Sequence, residues 1–107
     1  YAHQIYEWQQ TGHDWIGDVI GACNDRVYVT FDCDVFDPSV IPATGTPEPG
    51  GLTWYQIDKM FSRLFQERDV VGMDISELSP IEGQTVSEFT IAKLINRLIG
   101  YKFPLLS

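Results

Sequence analysis

The chain has 107 residues, 44% of them hydrophobic and 13% aromatic, which suits one packed domain and excludes intrinsic disorder. Its 15 acidic and 7 basic residues leave a formal charge of -8, without a Lys/Arg cluster to hold phosphates, so nucleic acid is excluded as a partner. No apolar run reaches the roughly 18 residues of a membrane span, and no basic-then-apolar leader opens the chain.

In chain order, "YAHQIYEW" begins without Met and reads as the interior of a longer protein. "TGHDWIGDVIGACND" predicts a helix of about three turns, with Thr11 as N-cap, Asp14 three residues on, and Trp15, Ile16, Val19, Ile20 and Cys23 on one face. "RVYVTF" is a near-continuous β-branched and aromatic run, the pattern of a strand buried on both faces of a parallel sheet. A long loop from Asp32 to Gly51 follows, with prolines at 38, 42, 47 and 49; loops of that length usually carry function. "LTWYQIDKMFSRLFQERD" predicts a second helix, with Thr53 and Gln56 as reciprocal caps and a stripe of Ile57, Met60, Phe61, Leu64 and Phe65. "VVGMDI" is a second strand ending near Asp74. "TVSEFTIAKLINRLIGYKF" predicts a third helix, with Thr85 and Glu88 as a capping box, Phe89, Ile91, Ala92, Leu94, Ile95, Leu98 and Ile99 as apolar positions, and Gly100 as a stop. Cys23 and Cys33 sit in apolar patterns without a CxxC spacing, which favours reduced core thiols in a cytoplasmic protein.

Alternating helices and strands predict an α/β fold, three-layer α-β-α, with a parallel sheet and right-handed crossovers. Ligands in such sheets bind at the carboxyl ends of the strands, where Asp32, Asp34, Asp74 and Glu77 all fall. Residues i and i+2 of an extended segment share a side, so Asp32 and Asp34 can aim at one point while Cys33 turns into packing. A divalent cation resolves the repulsion between two such carboxylates, and oxygen donors favour Mg, Ca or Mn. Turn capping is the competing role for these acids, and for Asp37, followed by Pro38, it is the expected one. An EF-hand is excluded, because its sixth and twelfth positions, Gly and Glu, are Asp37 and Ala43 here. A Mg-dependent phosphotransferase of the haloacid dehalogenase type also places two Asp at i and i+2 after a strand and stands as an alternative, as does a non-catalytic interaction fragment.

"FDCDVFDPSVIPATGTPEPGGLTW", followed by "VVGMDISELSP", resembles the ureohydrolase family, which includes arginase, agmatinase, guanidinobutyrase and formimidoylglutamase. The resemblance covers residues 27 to 99, and "TGTPEPGGLT" looks nearest to agmatinase. It implies residues 1–107 as the C-terminal portion of a single catalytic domain with an arginase-like fold. It also implies a homo-oligomer that hydrolyses a small guanidino or formimino substrate with two Mn2+ per active site, agmatine to putrescine and urea being the expected reaction. Asp32 and Asp34 would be metal ligands and Glu77 the catalytic residue that holds the guanidinium. Such a planar cation suits a carboxylate accepting two parallel hydrogen bonds. Asp74 is expected either to orient ligands from behind or to serve an internal hydrogen bond, and Thr46 first to shape its loop and second to touch substrate. His3 and His13 stand apart from the acidic pair. The family's Gly-Gly-x-His and Asp-Ala-His-x-Asp ligand segments are not in this sequence, so the chain by itself is expected to be inactive and to self-associate through uncovered apolar surface.

Overall fold

A computed structural model describes residues 2–104. Seven elements follow one another: α1 (Ala2–Thr11), α2 (Trp15–Gly21), β1 (Arg26–Asp32), a single 3-10 turn (Cys33–Val35), α3 (Trp54–Glu67), β2 (Asp69–Ser76) and α4 (Val86–Lys102). The strands pair in parallel. Parallel neighbours need a crossover, and α3 provides it. The result is an α/β arrangement with helices packed on a parallel sheet, as the alternating pattern predicted, of which the described residues hold two strands.

The first helix corrects the sequence reading. Residues 2–11 are helical, with Ile5 and Trp8 packed against the core. Thr11 belongs to this helix, its hydroxyl donating to the Trp8 carbonyl at 3.0 Å, and so it caps nothing downstream. Asp14 caps α2 instead, accepting from the Gly17 N–H, and it also takes a hydrogen bond from Arg63 of α3 at 2.8 Å. Val19 is exposed rather than part of the buried stripe.

The strand run was expected to be buried on both faces, yet β1 alternates. Val27, Val29 and Phe31 turn inward, while Tyr28 and Thr30 face out, Tyr28 at 60% exposure. A β-bulge between Val27 and Tyr28 shifts the register, after which Tyr28 pairs Gly72 and Asp32 pairs Ser76. The inner faces meet α3, whose Thr53–Gln56 capping box forms as predicted and whose Ile57, Phe61 and Leu64 are buried. Phe31 lies between Phe36 and Phe61, with ring centroids 5.7 and 5.5 Å away, in the tilted and edge-on geometries aromatic pairs prefer.

The last helix starts after Thr85, as predicted, but differs in its capping and in its far end. Thr85 makes no side-chain cap, so the predicted box with Glu88 does not form, and α4 runs through Gly100 to Lys102. Only one face of it is buried, through Ser87, Ile91, Leu94 and Leu98; Phe89, Ile95 and Ile99 are exposed. Arg97 pins α4 to α3, donating to both Asp58 oxygens at 2.7 and 2.8 Å, and the Tyr101 hydroxyl joins the same carboxylate at 2.5 Å. No helix among the described residues is long and apolar enough to cross a membrane.

Burial raises the Asp58 pKa, but the hydrogen bonds from Arg97 and Tyr101 outweigh it and leave it below the ordinary value. A carboxylate with a lowered folded pKa binds fewer protons folded than unfolded, so its stabilisation holds above the unfolded pKa of about 3.9 and is lost as pH falls through the folded value. Arg97→Gln is expected to cost roughly 1 kcal/mol at pH 7, an amount typical of a partly exposed ion pair. Thermal melts should show the gap between variant and parent closing below about pH 4.

Candidate active site

The chemistry begins where β1 ends. Asp32 closes the strand, and its Oδ1 accepts the Asp34 N–H at 3.1 Å, which starts the 3-10 turn. Asp34 therefore lies in a turn rather than in the extended segment assumed from spacing. Both residues stay half-buried at the strand end, and Cys33 between them is fully buried, as the alternation required.

The long loop is closed rather than loose. Phe36 and Leu52 bridge, with the Leu52 N–H on the Val35 carbonyl and the Asp37 N–H on the Leu52 carbonyl, both 2.9 Å. Asp37 staples the base. Its Oδ2 accepts from the Ser39 hydroxyl and N–H, and its Oδ1 accepts from the Gly50 N–H. These donors hold its carboxyl below the usual range, the Ser39 hydroxyl foremost. That is the turn-forming role expected for Asp37. Gly51 is required there, because a Cβ would lie 2.5 Å from the Asp37 nitrogen.

A second tie joins this loop to the one after β2. Ala43, almost fully buried, gives its N–H to the Ser87 hydroxyl at 3.3 Å, and its carbonyl accepts the Ser79 N–H at 2.7 Å. Sequence reasoning missed this clasp. Its only signal was Ser87, a polar residue on the buried face of α4. From the clasped loop, the Thr46 hydroxyl reaches Asp34 Oδ2 at 2.9 Å.

Glu77 follows β2 with φ of +66°, the only described non-glycine residue in the left-handed region. That conformation costs a residue with a Cβ roughly 1–2 kcal/mol and is found where surrounding structure fixes a side chain's direction. Its charge also reaches the interior: the Cys33 thiol is pushed up to about 11, by burial first and then by the negative charges of Asp32, Asp34 and Glu77. Asp74 stands apart from this group. Its Oδ2 accepts from the Tyr28 and Thr30 hydroxyls, each at 3.2 Å, on the outer face of the sheet.

Asp32 and Asp34 each spend one oxygen on a protein donor, and the other accepts no hydrogen bond among the described residues. Two hard oxygen donors held this way fit part of the coordination sphere of a divalent cation such as Mn2+. They do not complete one, since no group of three or more potential ligands converges among the described residues. Thr44 Oγ1 and Glu88 Oε1 are buried without a hydrogen-bond partner among these residues. The histidines are elsewhere, His3 against Glu7 and His13 against Asp18.

A model described as the Arginase family matches residues 2–100. Among curated relatives, the N(1)-aminopropylagmatine ureohydrolase of Synechocystis sp. is 48% identical over 89 residues, covering 82% of this chain and 29% of that protein. The agmatinase of Pyrococcus horikoshii is 35% identical, over 85% of this chain and 36% of the relative. The crystal structure of the agmatine ureohydrolase of Thermoplasma volcanium superposes with a TM-score of 0.71 at 33% identity, covering 86% of this chain and 32% of that one. The chain therefore spans about a third of the length of the proteins it matches.

The positive φ at Glu77 makes a paired comparison informative. Glu77→Gly relieves the backbone and should leave the protein about 1 kcal/mol more stable than Glu77→Ala, which keeps the strain and removes the same carboxylate. Urea denaturation of the two variants checks the difference. Cys33, protonated and enclosed, should resist an aromatic disulfide reagent at pH 8 while the half-buried Cys23 reacts, as mass mapping of the labelled protein would reveal.

Proposed function

We propose, on the premise that this chain belongs to the arginase family, that it forms the part of a hydrolase that cleaves the C–N bond of a guanidino amine. The observation that carries the reading is the pairing of two half-anchored aspartates at the end of β1 with Glu77, held at positive φ beyond β2. Hydrolysis joins the oxygen of water to the guanidinium carbon, breaks the bond to the alkyl nitrogen and returns a proton to that nitrogen. Urea and an amine leave. Asp32 and Asp34 would contribute oxygen ligands to a manganese pair whose remaining ligands come from elsewhere in the polypeptide. When bound, the metals supply the charge that makes water nucleophilic at neutral pH.

Glu77 accepts two parallel N–H bonds from the guanidinium, which fixes the planar carbon for attack; such positioning can supply several kcal/mol. Asp74, tied to Tyr28 and Thr30, keeps the strand end in place from the outer face. Agmatine, giving putrescine and urea, is the substrate proposed first. N(1)-aminopropylagmatine, named for the relative at 48% identity, carries the same reacting group. The complete enzyme is proposed to be a homo-oligomer, and the exposed apolar residues of α4 give it surface to bury. The phosphotransferase alternative is set aside: the family match spans nearly the whole chain, and the Pro/Gly loop foreign to that chemistry here donates to Asp34.

The test is urea release by the complete polypeptide loaded with Mn2+, given agmatine and N(1)-aminopropylagmatine in turn. Glu77→Gln should lower kcat/KM by about a hundredfold or more, because an amide cannot pair bidentately with a cation. Phosphate release from phosphomonoesters without urea from either amine would refute the proposal.

A further inference from the structure

We infer that Thr46 is a positioning residue for Asp34 rather than a contact for substrate; this deepens the proposal above and rests on its reading of Asp34 as a cation ligand. A threonine hydroxyl has one proton, and here it goes to Asp34 Oδ2 at 2.9 Å. That bond occupies one oxygen of the carboxylate and leaves Oδ1 without a hydrogen-bond partner among the described residues. An aspartate that would otherwise turn about its side-chain torsions, driven by repulsion from Asp32 two residues away, is held in one orientation.

The hydroxyl arrives already ordered. The loop is stapled at its base by Asp37, which accepts from Ser39 and Gly50, and clasped in its middle where Ala43 bonds both Ser87 and Ser79. Pro42, Pro47 and Pro49 restrict what remains of its freedom. Little conformational entropy is lost when the Thr46–Asp34 bond forms, so the bond can act continuously rather than only when substrate enters. The clasp through Ser79 also fixes the loop relative to the segment that begins with Glu77.

Thr46→Val, which keeps the shape and loses the hydroxyl, and Thr46→Ser, which keeps the hydroxyl, separate the roles in the complete polypeptide. Calorimetric titration with Mn2+ should find affinity reduced ten- to a hundredfold in Thr46→Val and within about threefold of the parent in Thr46→Ser, as for groups that orient metal ligands. KM for agmatine at saturating Mn2+ should stay near the parent value in both. Should Thr46→Val fold poorly, Thr46→Ala serves the same comparison. Unchanged Mn2+ affinity with a raised KM in Thr46→Val would overturn the inference and leave the proposed function standing. Loss of Mn2+ affinity in a protein whose parent releases no urea would uphold the inference and refute the function. A parent that binds no Mn2+ would refute both.

Discussion

The parallel pairing of β1 with β2, in the register that one bulge leaves, is the constraint on which the site depends. Because Asp32 stands opposite Ser76, both strands finish at the same level, and everything after them leaves from one edge of the sheet. A parallel pair puts both carboxyl ends together by construction, whereas an antiparallel pair would send the second set of acids to the far end. The bulge between Val27 and Tyr28 sets this alignment. Without it, every later residue of β2 would shift by one, and Met73 and Ile75 would exchange faces with Asp74.

Bringing acids together is unfavourable in itself, and the fold answers each with a different local device. Asp32 is held by the next turn's backbone, Asp34 by a hydroxyl from a distant loop, Asp37 by three donors at the loop base, and Glu77 by its own backbone conformation. None of these devices is a salt bridge. The ion pairs among the described residues lie elsewhere, Asp58–Arg97, Asp14–Arg63 and Asp69–Lys102 among them, where these three tie helices and strand starts together. None of the strand-end acids Asp32, Asp34 and Glu77 has a cationic side chain of the described residues paired with it.

Much of this was legible in the sequence, and the failures have physical causes. The strands, α3 with its capping box, and the burial of Cys33 followed from local pattern, since Thr53–Gln56 and the alternation around Asp32 need no distant partner. One helix start was misplaced. "TGHD" offers two possible caps, and the choice of Asp14 was made by Arg63, 49 residues away and invisible to local rules. Glu88 looked like a capping partner, but the first turn of α4 is organised by the Ser87 bond to Ala43 instead. α1 was missed because Ile5 and Trp8 are too few to show a period until a core lies beneath them. At the site, residue types revealed the acids, but not which oxygen of each was tied, nor that Glu77 sits at positive φ. Those depend on loops closing over one another.

The relatives that the chain matches are about three times as long as it is. Anomalous diffraction at the manganese edge, from crystals of the complete polypeptide grown with Mn2+, tests the central claim most directly. The account places manganese within coordination distance of the oxygens of Asp32 and Asp34 left free by their anchors. A manganese peak bound elsewhere, or one flanked by only one of the two aspartates, would contradict it.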